Sequence, residues 1–173
     1  TNTTTCSGNS VNLTASGATS YSWNTGAITN TISVAPTGNT TYSVTGTNSV
    51  GCTNTKTVSV TVNPSPTVAV NNASVCSGST VALIASGANS YVWNTTATTP
   101  SITVFTTNTN TYSVIGSNTF GCTNVKTATV TVLASPTLAV SNATICSGSS
   151  TNLTASGATT YSWNTGATTN SVS

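Results

Sequence analysis

The sequence predicts an all-β chain of tandem β-sandwich modules, and three observations carry that reading. The chain repeats itself every 70 residues, apolar and polar residues alternate within each repeat, and no stretch has helical spacing. Cys6, Cys76 and Cys146 are each 70 apart, as are Trp23, Trp93 and Trp163. Tyr42 and Tyr112, Cys52 and Cys122, and Lys56 and Lys126 keep the same interval. Such a unit is too long for a solenoid coil and suits a small independent domain.

The elements follow in order from the period of two. Val68 and Val70 open the unit; Val11, Leu13 and Ala15 follow, then Tyr21 and Trp23, Ile32 and Val34, and Tyr42 and Val44. The last run, "TVSVTV" (Thr57 to Val62), puts Val58, Val60 and Val62 on one face and Thr57, Ser59 and Thr61 on the other. Gly, Asn and Pro clusters separate the runs, and six or seven short strands with turns between them indicate a sandwich. Whether Asn24 to Thr31 holds a further short strand is left open by the sequence, and the strand count with it.

Boundaries fall at "NPSPT" (Asn63 to Thr67) and "LASPT" (Leu133 to Thr137), where proline removes a ladder donor and fixes an extended backbone. This gives a first repeat over 1–63 without its opening strand, a complete second repeat over 64–133, and a truncated third over 134–173. The expectation is a soluble window on a longer tandem array, with any export signal or anchor outside it.

Composition excludes much chemistry. The 173 residues include two Lys and no Arg, Asp, Glu or His. Paired-carboxylate hydrolysis, a Ser-His-Asp relay and a Cys-His nucleophile therefore have no parts here, and no catalytic residue is expected. Calcium and magnesium lack carboxylate ligands and zinc lacks a clustered ligand set, so neither metal nor cofactor is expected. A net charge of +2 is far from a nucleic-acid-binding surface. No apolar run is long enough to enter a membrane. Disorder, the alternative for a Ser/Thr/Asn-rich chain, is opposed by 36% hydrophobic residues placed in alternation.

The order of motifs resembles a known family. A Cys-Ser-Gly before a Val-x-Leu-x-Ala strand is followed by "YSW" on the next strand. "TTYSV" comes later, then "GCTN" before a Val-rich last strand. This resembles the immunoglobulin-like and PKD-like repeats of giant secreted surface proteins of Bacteroidetes, including gliding-motility adhesins and proteins exported by the type IX system. The resemblance covers the whole chain and implies tandem Ig-like β-sandwiches of about 70 residues that serve as stalks. Two departures stand out. PKD repeats commonly carry W-x-F-G-D-G, whereas Trp23 is followed by "NTGA", and the Asp-centred O-glycosylation signal of that phylum has no Asp here.

In an antibody-type domain the second Cys follows the corner Tyr by two residues. That position is Val44 here, facing Leu13, so an apolar contact stands where the inter-sheet bridge would be. The cysteines lie elsewhere, and a module this small usually needs a staple, so the expected pairs are Cys6 with Cys52 and Cys76 with Cys122, with the partner of Cys146 beyond the sequence. Such a loop closure is worth about 4 kcal/mol in the chain-entropy model. Free buried thiols are the competing reading. Topology cuts both ways: six strands put the two cysteine turns at one end of a module, seven put them at opposite ends and send the termini apart, as a rod requires.

Trp23, Trp93 and Trp163, with Tyr42 and Tyr112, read as core residues in preference to sugar-stacking platforms. Lys56 and Lys126 read as solvated strand starts, since an isopeptide bond would need a neighbouring acid. Asn-x-Ser/Thr triplets at Asn2, Asn12, Asn39, Asn72, Asn94, Asn142 and Asn152 are candidate glycan acceptors, most of them expected by chance in this composition. The strands carry Thr, Ser and Asn but almost no charge to block edge pairing. That leaves a carbohydrate coat, or association with neighbouring copies or repeats, laterally or end to end. Ice binding ranks last, because a 70-residue period supplies no long lattice. The leading reading is an extracellular, cell-surface stalk or fibre segment without catalysis. The alternative is a glycan-binding module with shallow loop sites, favoured only by "VWNTTATTP" (Val92 to Pro100) differing from "SWNTGAITN" (Ser22 to Asn30).

Overall fold

A computed structural model describes residues 2–173. The second repeat contains β7 (Ala69–Val70), β8 (Ala73–Cys76), β9 (Ser79–Ser86), β10 (Ser90–Trp93), β11 (Ser101–Thr106), β12 (Asn110–Ser117) and β13 (Thr123–Leu133). They form two sheets, β10-β12-β13-β8 and β11-β9-β7. The first repeat supplies β1 (Thr3–Cys6), β2 (Val11–Thr14), β3 (Ser20–Trp23), β4 (Thr31–Val34), β5 (Thr40–Thr47) and β6 (Thr53–Asn63), in sheets β1-β6-β5-β3 and β2-β4. After β13 come β14 (Ala139–Val140), β15 (Leu153–Ser156) and β16 (Ser171–Val172), which form one small sheet.

Alternation places the core. In β11, Ile102 and Val104 point inward and Thr103 and Phe105 outward; facing them, Leu83 and Ala85 of β9 are buried and Ile84 is exposed. These side chains close on Trp93, Val114 and Val130 from the other sheet. The first sandwich repeats the arrangement with Leu13, Trp23, Ile32, Tyr42 and Val60 in a separate core. Burying each large apolar side chain contributes about 1.5–3 kcal/mol, and the two cores share no buried residue.

The count of seven comes from an unexpected place. Asn24–Asn30 is a turn and not a strand, closed by Trp23 N–H to the Ala27 carbonyl at 2.8 Å and by the Trp23 indole N–H to the Thr29 carbonyl at 2.9 Å. Instead the opening strand splits in two. β7 pairs antiparallel with β9, then the chain crosses to the other sheet, where β8 runs parallel to β13. First and last strands thus run the same way, as β1 and β6 also do. Each sandwich takes the chain in at its proximal end and releases it at its distal end.

Candidate functional site

With no catalytic constellation to describe, the site of interest is the joint where one sandwich meets the next. The chain leaves β6 at Asn63 and crosses through Pro64, Ser65 and Pro66 to β7. The prolines offer carbonyls without N–H groups, and asparagines of the second sandwich meet them. Asn118 Nδ2 donates to the Pro64 carbonyl at 2.7 Å, and Asn124 Nδ2 donates to the Pro66 carbonyl at 3.0 Å. Asn118 is itself fixed, because its Oδ1 accepts from the Phe120 and Cys122 N–H groups at 3.1 and 3.0 Å. The turn at the head of β13 is therefore set before the linker arrives.

That turn presents Cys122, fully buried, to Cys6, and the two form a disulfide with Cα atoms 5.6 Å apart and a sequence separation of 116. Cys6 is the last residue of β1, opposite Asn63 in the parallel register, and the next residue anchors the same place through Ser7 N–H to the Asn63 carbonyl at 2.9 Å. The bond therefore runs from the distal end of one sandwich to the proximal end of the next. The expected pairs Cys6 with Cys52 and Cys76 with Cys122 are corrected: Cys52, Cys76 and Cys146 are unbonded and exposed. The reason is topological. Cys52 precedes β6 and Cys6 lies opposite that strand's last residue, and an 11-residue strand rising about 3.3 Å per residue separates them by far more than a disulfide spans.

The linker strand also completes the second core. Val68 is only 6% exposed, and its Cγ2 lies 2.5 Å from where a Cβ on Gly116 would be; a Cβ on Gly87 would stand 1.9 Å from the Thr67 carbonyl oxygen. Both positions are glycine because the strand lies against their backbone. In the first sandwich Gly17 has nothing within 4 Å of such a Cβ, and Gly46 meets no strand corresponding to β7. A groove of about 580 Å³ lies there, lined by Leu13, Gly17, Gly46, Asn48, Cys52 and Asn54 among others.

The other residues singled out from sequence are distributed as follows. Trp23 and Trp93 are buried, Trp163 is half-buried, Tyr42 is buried and Tyr112 half-buried. Lys56 and Lys126 are exposed. Asn2, Asn39, Asn72 and Asn94 each accept a backbone N–H through Oδ1, from Ser59, Val62, Thr129 and Ser113, while Asn12, Asn142 and Asn152 are simply exposed. The sequence reading missed the tyrosines that matter locally. The Tyr91 hydroxyl donates to the Ala88 carbonyl and accepts the Ala88 N–H, both at 3.0 Å, and Tyr21 and Tyr161 bond Ala18 and Ala158 in the same way. It also missed Asn118 and Asn124, although "SNTFGCTN" repeats the asparagines of "TNSVGCTN" around each second cysteine. Among the described residues no group of three or more Cys, His, Asp or Glu is placed to hold a metal ion.

No protein-family model matches the chain, and no curated protein matches it. Among solved structures, it is similar to the fibronectin(III)-like modules of Clostridium thermocellum CbhA, with 11% identity and a TM-score of 0.37 over 77% of this chain and 90% of that one. It is also similar to immunoglobulin domains 1-4 of Sidekick-1, with 16% identity and a TM-score of 0.34 over 79% of this chain and 50% of that one. A titin Ig tandem gives 17% identity and a TM-score of 0.30 over 78% and 93%. These likenesses are of fold alone. The tandem Ig-like assignment rests on the strand order itself, with its split first strand and parallel first and last strands.

Proposed function

We propose that this chain is a spacer: a segment of an extracellular stalk or fibre in which Ig-like sandwiches are locked end to end. One observation carries the reading, the disulfide between Cys6 and Cys122 across the joint. A linker alone is a single point of attachment, about which two bodies can bend and twist. The disulfide is a second covalent attachment beside it, and two asparagine side chains hold the linker between them. A disulfide of this kind also belongs to an oxidising compartment, which fits a secreted or surface protein. The surface-adhesin setting that the repeat resembles is part of the same reading, and so is the absence of catalysis in a chain without acids or histidines.

The test is small-angle X-ray scattering of the oxidised chain and of the chain under reductant, with circular dichroism beside it. The oxidised protein should scatter as a stiff rod, and reduction should broaden the pair-distance distribution while the β signal persists. An unchanged distribution would remove the joint from the argument.

A further inference from the structure

We infer that Cys6 is a modification site for a low-molecular-weight thiol and that Cys122 is the cysteine that removes it, so that the bond across the joint opens from one side only. The two cysteines are unequally placed. Cys122, in the turn ahead of β13, is 0% exposed, whereas Cys6, the last residue of β1, is half-buried. A disulfide is opened by a thiolate that reaches one sulfur atom and expels the other, so access decides which of the two is attacked. Solvent does not touch Cys122, and the open approach is to the sulfur of Cys6. What closes off Cys122 is the joint itself. Its N–H is held by Asn118 Oδ1 at 3.0 Å, its Sγ lies 3.9 Å from the Asn63 carbonyl, and Asn118 holds the linker beside it through the Pro64 carbonyl.

The exchange conserves electrons and protons. The incoming thiol gives its proton to water, and its thiolate attacks the Sγ of Cys6. One S–S bond forms there, the Cys6–Cys122 bond breaks, and Cys122 leaves as a thiolate that takes a proton from water. The incoming sulfur is oxidised and Cys122 is reduced. The freed Cys122 thiol stays close to Cys6, because both are tied to Asn63. Cys6 lies opposite Asn63 in the ladder, Ser7 N–H donates to the Asn63 carbonyl at 2.9 Å, and the same carbonyl faces the Cys122 sulfur. Asn118 and Asn124 meanwhile keep the linker on the second sandwich. Return attack by Cys122 on the Sγ of Cys6 is therefore intramolecular, at high effective concentration, and it sends the small thiol back to solution. Complete opening needs a second small thiol, which takes the first off Cys6 as a small-molecule disulfide and leaves Cys6 as a thiol. Dilute thiol thus leaves the joint closed, and concentrated thiol opens it.

This rests on the joint of the spacer reading and adds how that joint is regulated. The sulfur chemistry is read by mass and the stiffness by scattering, so either can fail without the other. The oxidised full chain is incubated with a rising series of reduced glutathione, quenched in acid to stop exchange, then unfolded, alkylated and mapped by mass spectrometry. A chain with Cys52→Ser, Cys76→Ser and Cys146→Ser is run beside it, which removes exchange with the three exposed thiols. The expected result is glutathione on Cys6 with Cys122 as the free thiol, and almost none on Cys122. Removing glutathione by gel filtration before the quench should clear the adduct and restore Cys6–Cys122. Glutathione on Cys122, or on both cysteines equally, overturns the one-sided opening. An adduct on Cys6 that persists after gel filtration overturns the part given to Cys122. Opening of the bond with no adduct on either cysteine anywhere in the series overturns both.

Discussion

The two sandwiches are written in nearly the same sequence and differ most at their proximal ends. The second is shut there by Val68, the asparagine clamps and Cys122; the first has a groove, an Asn48 that holds its own turn through the Val50 and Cys52 N–H groups, and an exposed Cys52. The lesson is that the structural unit is offset from the sequence repeat. A sandwich is completed by the linker ahead of it, so what reads as a spacer between modules is the opening strand of the next one.

Glycine replacements break this comparison most sharply. Gly87→Ala places a Cβ 1.9 Å from the Thr67 carbonyl oxygen at a φ of +86°, whereas Gly17→Ala has the same φ and open space around it. Both carry the left-handed strain of about 1–2 kcal/mol, and Gly87→Ala adds the loss of strand docking, for roughly 3 kcal/mol or more in total. Hydrogen exchange read sandwich by sandwich should show the second opening strongly in Gly87→Ala and the first opening weakly in Gly17→Ala. Equal effects would mean that the linker strand contributes nothing.

A smaller effect is expected at the turn after each tryptophan. Gly26 and Gly166 have φ values of +87° and +85°, but the second repeat has Thr96 there, at +71°. A β-branched residue is strained in that region, so Thr96→Gly should stabilise the second sandwich by about 1 kcal/mol, and Gly26→Thr should cost the first a similar amount. Thermal melts of the two variants check both signs. The variant loop of the second repeat is thus a strained copy of the same turn, still holding the indole N–H of Trp93 on the Thr99 carbonyl at 2.9 Å.

Weaker still is the outer face of the four-stranded sheet. Val92, Ile115 and Val125 lie side by side in register and are exposed, where the first repeat has Ser22, Thr45 and Thr55. Exchanging the three for Ser, Thr and Thr should move stability by no more than about 0.5 kcal/mol each, while lowering any lateral self-association seen by light scattering. Smallest of all is the response to acid. With no carboxylate or imidazole in the chain, no native contact is lost by protonating such a group, and the melting temperature should be flat between about pH 4 and 8.

The strands were legible because their signal is local. Ile102 and Val104 alternate with Thr103 and Phe105 whatever the rest of the chain does, and the core aromatics sit on equally plain runs. The cysteine pairing was hidden for the opposite reason. A period of 70 makes Cys52 and Cys122 equivalent in sequence, so spacing cannot say which of them meets Cys6. Only the parallel pairing of first and last strands decides, by putting Cys6 and Cys52 at opposite ends, and that follows from the split of the opening strand at Asn71–Asn72, which the alternation of apolar and polar residues does not reveal. The asparagine clamp was hidden in composition, because in so Asn-rich a chain two more asparagines carry little signal.

The disulfide across the joint also decides where tension would run. Pulled at its two ends, the chain would transmit force from β1 through the sulfur atoms of Cys6 and Cys122 into β13, bypassing the backbone between them. The bypassed stretch, a sequence separation of 116 at about 3.5 Å per residue, is a slack of roughly 400 Å that carries no load while the bond is intact. In a force spectrometer, reduction should release that length as added extension. The joint would thus act as a redox-controlled stop on how far the two sandwiches can be drawn apart.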